Sequence, residues 1–562
     1  MNLADRRAPL FAALLGTVLA LPALRTGFFV DDWLHRLKIE GARGWEADVH
    51  PALELFSFMA PGKTNDLLIA QGILPWYTHP EVRAALFRPL SSATHLLDWQ
   101  LFGDFAPAHH LHNLGWWFLG ALMVGLVLRR SIGGTAAGLA ALLFAVEDAH
   151  AMPIAWVANR NALLCLAFGA AAVWTHLRWR EGRGPLALPL ALASVGLLAG
   201  EATLGALAYI VAWQLTEERP WRERLLPIAP YAALVVAWRL VYSGLGYGAS
   251  GSGLYIDPAR QPLDFLQALV ERGPILMLTQ TFQVPVDLWI LMPREAHLAL
   301  TAAGLATCAL LTWLFYPLRH DRRARFLALG MGGSLVPLCA AFPMDRLLVF
   351  AGIGFFGLLA LRWEHERGKV IGLLMLLAGP WSALVLPLRA GTVDLMMRGL
   401  VETALASHPP GPSAPEETWI FVNGHEFTTF YAPVVPTLSG DPAPGRIGLL
   451  ATSSRDVHVL RTDERSLELE VEGGWLLAAG ERIARDATPF QVGEQVDRPG
   501  FSAEVLEITP DGRPARVAFV FDEVLEHPST RLLYFRDGAI ELFEPGSVGS
   551  SQTLESNLPR PF

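Results

Sequence analysis

Up to about residue 390, long apolar runs alternate with short charged connections. The runs Pro9 to Leu24, Leu111 to Leu128, Leu298 to Leu318 and Val370 to Leu388 approach or reach the ~20 residues that one helical crossing of the hydrocarbon needs. Segments 134–148, 185–200 and 202–216 are shorter, and the apolar stretch 274–291 is read as a re-entrant or interfacial element on the outer side. Arginine-rich connections belong on the cytoplasmic side. Placing Arg6-Arg7, Arg129-Arg130, Arg178 to Arg183, Glu217 to Arg224, Arg319 to Arg325 and Arg362 to Lys369 there predicts about eleven crossings, with the N-terminus inside and the C-terminus outside. A count of twelve or thirteen, from an extra pair around 262–297, leaves the rest unchanged. Arg6 and Arg7 before an apolar run have the form of a signal peptide, but no small-x-small cleavage site follows Leu24, so the segment is expected to stay as the first helix.

Residues 25–108 then form a long outer loop within a 1–390 membrane domain. Leu86, Leu90, Ala93, Leu97 and Leu101 recur there at helical spacing, which predicts a helix lying in the interface or an ordinary packed helix. Beyond Leu388 the pattern changes. Residues 391–407 read as a short amphipathic helix, and His408 to Pro415 as a proline-rich linker, within a connecting segment 391–417. From Thr418 the period becomes two: Leu467, Leu469 and Val471 alternate with Glu468, Glu470 and Glu472. Turn signals at Asn423-Gly424, Gly473-Gly474 and Asp511-Gly512 divide 418–562 into short strands, as in a sandwich. The fold class is therefore a polytopic all-α membrane domain followed by a β-rich soluble domain.

Composition agrees: of 562 residues, 52% are hydrophobic and only 17% charged, and the mean hydropathy is +0.34. The net charge of -9 leaves no basic surface for phosphate backbones, which excludes a nucleic-acid partner. Cys165, Cys308 and Cys339 lie in apolar runs without CxxC spacing, so they are read as packing residues.

The ionisable residues at span ends share the outer side, and such residues invite functional hypotheses. Asp31 and Asp32 follow the first span; His109, His110 and His112 open the second; Asp148 and His150 close the third; Glu201 and Asp345-Arg346 occupy later outer turns. Arg160 is placed ~9 Å inside the fourth span by helical rise, where a guanidinium needs an anion. That anion is a membrane-bound phosphate, which arginine grips in a forked geometry, or a structural partner, Glu201 or Asp148. An aspartate beside a phosphate suits a general base, and paired carboxylates suit a divalent ion such as magnesium or manganese. The plainer alternatives are a solvated or capping Asp31-Asp32 pair and interfacial histidines.

Gly27 to Trp33, Phe87-Arg88-Pro89-Leu90, His110-Leu111-His112-Asn113, Phe144 to Leu164 with Trp156 and Asn159-Arg160-Asn161, and Gly200-Glu201 together resemble the GT-C superfamily of glycosyltransferases. Within it they are most similar to the protein O-mannosyltransferase-like branch. The resemblance covers roughly 10–245, with similar hydropathy to about 390. It implies a polyprenyl- or dolichyl-phosphate sugar donor and chemistry on the extracytoplasmic face; abundant arginine beside only Lys38, Lys63 and Lys369 suggests a GC-rich bacterial genome, and with it a bacterial inner membrane. It also implies a catalytic acid at Asp31 or Asp32, a phosphate-binding Arg160, and the acid of a Lys-Glu pair at Glu201. Arg88, His110, His112, His150, Asp345 and Arg346 are expected to shape the substrate cavity. The chain departs from the branch at Glu147-Asp148 and Met152, where His-Pro and a glutamate are usual, at Gly200 in place of the lysine, and in having a β-rich domain instead of tetratricopeptide repeats.

Two other classes stand beside a glycosyltransferase. A transporter or flippase for a lipid-linked glycan would spread polar residues along a path to both faces, whereas the inner halves of these spans are nearly free of acids and histidines. A membrane-anchored binding or assembly module would place its function in the β domain.

Overall fold

The structure is a computed structural model and describes residues 3–41, 50–393, 395, 414–425, 428–432, 443–537 and 539–556. The predicted amphipathic helix and proline-rich linker, 391–415, lie almost entirely outside the described residues.

Among the described residues six helices are long and apolar enough to cross a membrane: Ala8–Arg25, Ala106–Ser131, Val157–Arg180, Trp221–Gly244, Arg294–Leu318 and Lys369–Ala390. Gly134–Val146 and Asp148–Ala155 form a further pair bent by 46°, and Ala187–Ala199 and Thr203–Thr216 are shorter apolar helices. Helices Arg322–Leu338 and Ala351–His365 complete the bundle. The outermost helices turn Leu240, Leu298 and Trp313 outward, as lipid-facing helices do. Inside, small residues allow close approach. A side chain at Gly16 would collide with the Ala145 carbonyl, and one at Gly330 with the ring of Tyr209.

The loop expected between Gly244 and His297 contains the helix Pro262–Phe282, whose second half supplies the first half of the apolar stretch 274–291. That half, Ile275 to Thr281, is buried against the bundle, because Pro274 sits beside Gly304 of the next helix. The helix expected near 86–101 spans Pro89–Phe102 with Leu97 and Leu101 exposed. Its inward face is polar, made of Ser91, Ser92, His95 and Asp98. Short strands β1 (Ser57–Met59), β2 (Arg83–Ala85) and β3 (Gly248–Ser250) join the loop after the first span and the loop after Gly244 into one antiparallel sheet.

The C-terminal region has two sheets rather than an all-antiparallel sandwich. Strands β4 (Thr418–Gly424) and β5 (Arg446–Thr452) run parallel, followed by β6 (Val457–Asp463), β7 (Ser466–Val471), β8 (Gln495–Arg498), β9 (Phe501–Ile508), β10 (Pro514–Phe521), β11 (Thr530–Arg536), β12 (Ala539–Leu542) and β13 (Ser551–Leu554). The four-stranded sheet has the order β12-β11-β4-β5, with β4 parallel to both its neighbours. The six-stranded sheet, β13-β6-β7-β10-β9-β8, is antiparallel throughout. Leu467, Leu469 and Val471 face its core while Glu468 and Glu470 face solvent, as the alternation requires. Asn423-Gly424 ends β4 rather than making a hairpin, because its neighbour β5 is parallel.

This region is docked on the outer loop by shared core. Trp76 is buried in the β-domain core against Trp475, Phe490 and Phe519, and donates its indole N–H to the Leu450 carbonyl at 2.9 Å. The Ile447 N–H donates to the Gln71 carbonyl, the His79 N–H to Ala484 and the Gly253 N–H to Arg482, at 2.8–2.9 Å.

Candidate active site

After the first span the chain passes through a single 3-10 turn, Leu21–Arg25, and an extended stretch to Val30. Val30 has φ 50° and ψ -119°, a conformation that a β-branched residue adopts only under strain. The helix Asp31–Glu40 starts at the next residue, with both aspartates in its first turn.

The two aspartates diverge in role. Asp32 is buried, and its carboxylate accepts the Phe29 N–H at 3.0 Å and the Ala158 N–H at 2.6 Å, tying the first span's end to the turn before Arg160. Burial pushes its carboxyl up to about 8, against the pull of these two N–H groups and with the repulsion of Asp31 adding to the rise. Asp31 is half-buried and carries no hydrogen bond or ion pair among the described residues. Burial raises its pKa, while the nearby charges of Arg346, Lys38 and Arg88 hold it down.

Those cations form the rest of the site. Arg346 stacks over the Trp156 ring at 5.1 Å and has no carboxylate partner among the described residues. Arg88 donates through Nε to Glu201 at 2.9 Å, which leaves its terminal nitrogens without a hydrogen bond among the described residues. Glu201 also accepts from the Tyr242 hydroxyl at 3.2 Å. The partner of Glu201, whose preceding residue is Gly200 rather than lysine, is thus an arginine distant in sequence. Lys38, nearly two helical turns beyond the aspartates, donates to the carbonyls of Leu55 and Ser57 at 2.9 and 2.8 Å, and burial lowers its pKa to about 7. Tyr255 lies close enough to feel Asp31, Arg346 and Arg88.

Arg160 is elsewhere in role. Its guanidinium meets Asp98 at 2.5 Å, Asn113 at 2.6 Å and the carbonyls of Thr94 and His109 at 3.2 and 3.3 Å. Its anion is Asp98, neither Glu201 nor Asp148 as expected, because the polar face of the Pro89–Phe102 helix turns inward. Asp98 also accepts from His112 Nδ1 at 2.8 Å, and the Trp116 indole donates to His112 Nε2 at 2.9 Å, which sets the tautomer. His110 Nε2 donates to the Thr26 hydroxyl at 3.1 Å. His150 is wedged between Trp117 and Phe144.

Asp345 belongs to a third cluster. Arg389 bonds Asp148, Asp287 and Asp345 at 2.8, 2.8 and 2.7 Å, joining three outer turns to the end of the last helix. Burial and the repulsion of Asp287 raise the pKa of Asp345.

Of the sequence-predicted residues, the structure therefore brings together Asp31, Arg88, Glu201 and Arg346. It spends Asp32, His110, His112, Arg160 and Asp345 on internal contacts. Sequence reasoning missed Asp98, Lys38, Asp287 and Arg389. Asp98 had a signal, since Ser91, His95 and Asp98 recur at helical spacing opposite the leucines. Among the described residues no group of three or more His, Cys, Asp or Glu is placed to hold a metal ion. With both Asp32 oxygens on backbone N–H groups, the aspartate pair does not fit a two-carboxylate metal site.

No family model matches the chain. A glycerol-3-phosphate acyltransferase of Chromohalobacter salexigens is 36% identical over 103 residues, which are 17% of this chain and 47% of that protein, so the chain spans about half the length of this curated relative. Among solved structures, the apo oligosaccharyltransferase of Archaeoglobus fulgidus aligns with 80% of this chain and 65% of its own at 11% identity and TM-score 0.43. The same archaeon's AglB, in complex with an inhibitory peptide and a dolichol-phosphate, aligns with 78% of this chain and 64% of its own at 11% identity and TM-score 0.39. ArnT from Cupriavidus metallidurans, bound to undecaprenyl phosphate, aligns with 92% of this chain and 98% of its own at 14% identity and TM-score 0.38.

Proposed function

We propose that this chain is a membrane glycosyltransferase of GT-C type that moves a sugar from a polyprenyl-phosphate donor to a protein, lipid or glycan acceptor on the periplasmic face, with inversion. The observation that carries this reading is one open carboxylate, Asp31, set against two guanidinium groups with unspent donors, Arg88 and Arg346. Guanidinium groups bind phosphate oxygens in a forked geometry and meet the charge that grows there as the sugar leaves. Asp31 takes the acceptor proton while the acceptor atom bonds to the anomeric carbon and the bond from that carbon to the phosphate oxygen breaks, its electron pair leaving with the phosphate. Asp32 positions this machinery without touching substrate, and the strain at Val30 is consistent with a backbone held for function. No step is routed through a metal.

Eleven crossings, an inner-membrane location and a periplasmic C-terminal domain belong to the same reading, supported by the one-sided distribution of arginine. So does kinship with the O-mannosyltransferase-like branch.

The test is transfer of radiolabelled sugar from polyprenyl-phosphate donors in membranes carrying the wild type, Asp31→Asn or Arg346→Met. Loss of at least about a hundredfold in Asp31→Asn at equal protein level is the expected result, as for removal of a general base. Transfer at wild-type rate in Asp31→Asn rejects the assignment.

A further inference from the structure

The parallel pairing of β4 and β5 brings their C-terminal ends to the same side of the sheet. In sheets with parallel strands, ligands sit outside those ends. Three neutral side-chain groups gather there, all fully buried and without a hydrogen-bond partner among the described residues: Asn423 Nδ2 at the end of β4, Ser453 Oγ just after β5, and Thr429 Oγ1 on the short helix Thr428–Tyr431 that follows β4. The other end of the Asn423 amide accepts the Phe535 N–H at 2.9 Å, so its orientation is set and its NH2 is the unspent donor. The Ser453 N–H donates to the Gly424 carbonyl at 2.7 Å, which keeps the two strand ends together. Buried polar groups are as a rule paired, and three unpaired ones sharing one sheet end point to a ligand there.

This end of the sheet faces the proposed active site. Tyr431, two residues beyond Thr429, is buried among Leu34 and Leu37 of the helix that begins with Asp31, and the Tyr431 hydroxyl has no hydrogen bond among the described residues. The unspent groups are two hydroxyls and an amide, with no charge among them. They suit neutral hydroxyls, whereas phosphate is the business of Arg88 and Arg346.

We infer that the C-terminal ends of β4 and β5, through Asn423, Thr429 and Ser453, bind the hydroxyls of a sugar next to the helix that begins with Asp31. The ligand's identity rests on the proposed function, and the sugar is that of the lipid donor or that of a glycan acceptor.

The experiment uses the full chain in detergent and reads equilibrium binding without turnover, so it stands apart from whether Asp31 is the base. Thr429→Val and Ser453→Ala each replace an unpartnered hydroxyl by an apolar group, so the thermal midpoint of the free protein holds or rises. The probes are bare undecaprenyl phosphate, undecaprenyl phosphate bearing each of several neutral hexoses, and an array of neutral oligosaccharides. The expected result is an affinity loss of about three- to tenfold per variant for a sugar-bearing probe, the size of one neutral hydrogen bond, with bare undecaprenyl phosphate unaffected. Loss confined to the lipid-linked hexoses assigns the donor sugar, and loss on the array assigns a glycan acceptor. The inference is overturned if the wild type binds no sugar-bearing probe more tightly than bare lipid phosphate and ignores the array, or if both variants bind every probe as the wild type does.

Discussion

Arg160 and Asp98 meet at 2.5 Å with both side chains shut away from solvent, one at the start of a span and the other on the helix of the outer loop. Breaking a buried pair from one side strands a charge, so Asp98→Asn is expected to destabilise by about 3–5 kcal/mol. Asp98→Leu combined with Arg160→Met is expected to cost clearly less than the sum of Asp98→Leu alone and Arg160→Met alone. Thermal unfolding of the four proteins in detergent closes this double-mutant cycle.

The raised pKa of Asp32 makes stability depend on pH with a definite sign. An unfolded aspartate loses its proton near pH ~4, whereas the folded carboxyl keeps it to about 8. The folded state binds the extra proton between these values, so stability falls as pH rises through that window and levels off above it. Asp32→Asn carries no such proton and is expected to lose this part of the slope. The comparison is the midpoint difference between variant and wild type from pH 5 to 9; a constant difference would refute the assignment.

Val30→Gly is expected to stabilise the protein by about 1 kcal/mol, since glycine adopts φ 50° without strain. The same change loosens the joint that aims Asp31, and transfer is expected to fall while the melting midpoint rises. A rise in both would mean that the strain serves no purpose in the reaction.

Trp76→Ala removes a ring packed in the β-domain core and is expected to cost about 3–5 kcal/mol. The loss should fall on docking: limited proteolysis is expected to degrade the β-rich region of the variant under conditions that leave the wild type whole. Identical digestion patterns would show that the remaining backbone bonds suffice.

Much of the membrane domain was legible because a span writes its own length in consecutive apolar residues, and Leu111 to Leu128 needs no knowledge of its neighbours. The strands around Glu468 and Glu470 were legible for a similar local reason. The parallel pairing of β4 with β5 was not, since strand direction depends on what lies between and beside strands. The site was legible only as a zone. Sequence placed Asp31, Glu201 and Arg346 on one side, but could not tell that Asp32 spends its oxygens on Phe29 and Ala158, or that Arg160 chooses Asp98. Those choices turn on side-chain direction across elements far apart in the chain, and no spacing rule reports it.

The anchoring of Trp76 at Leu450, 374 residues away, sets an order of events during biosynthesis. The outer loop with Asp31 leaves the ribosome early, yet the surface that receives its tryptophan is made only after every span has been inserted. A nascent chain therefore exposes a large indole until the β-rich region arrives. Chains that stop short keep that mark of incompleteness, which is the kind of signal a quality-control protease reads, and they lack the Tyr431 wall beside Asp31. On the proposed function, the surroundings of Asp31 are complete only after the β-rich region has been made.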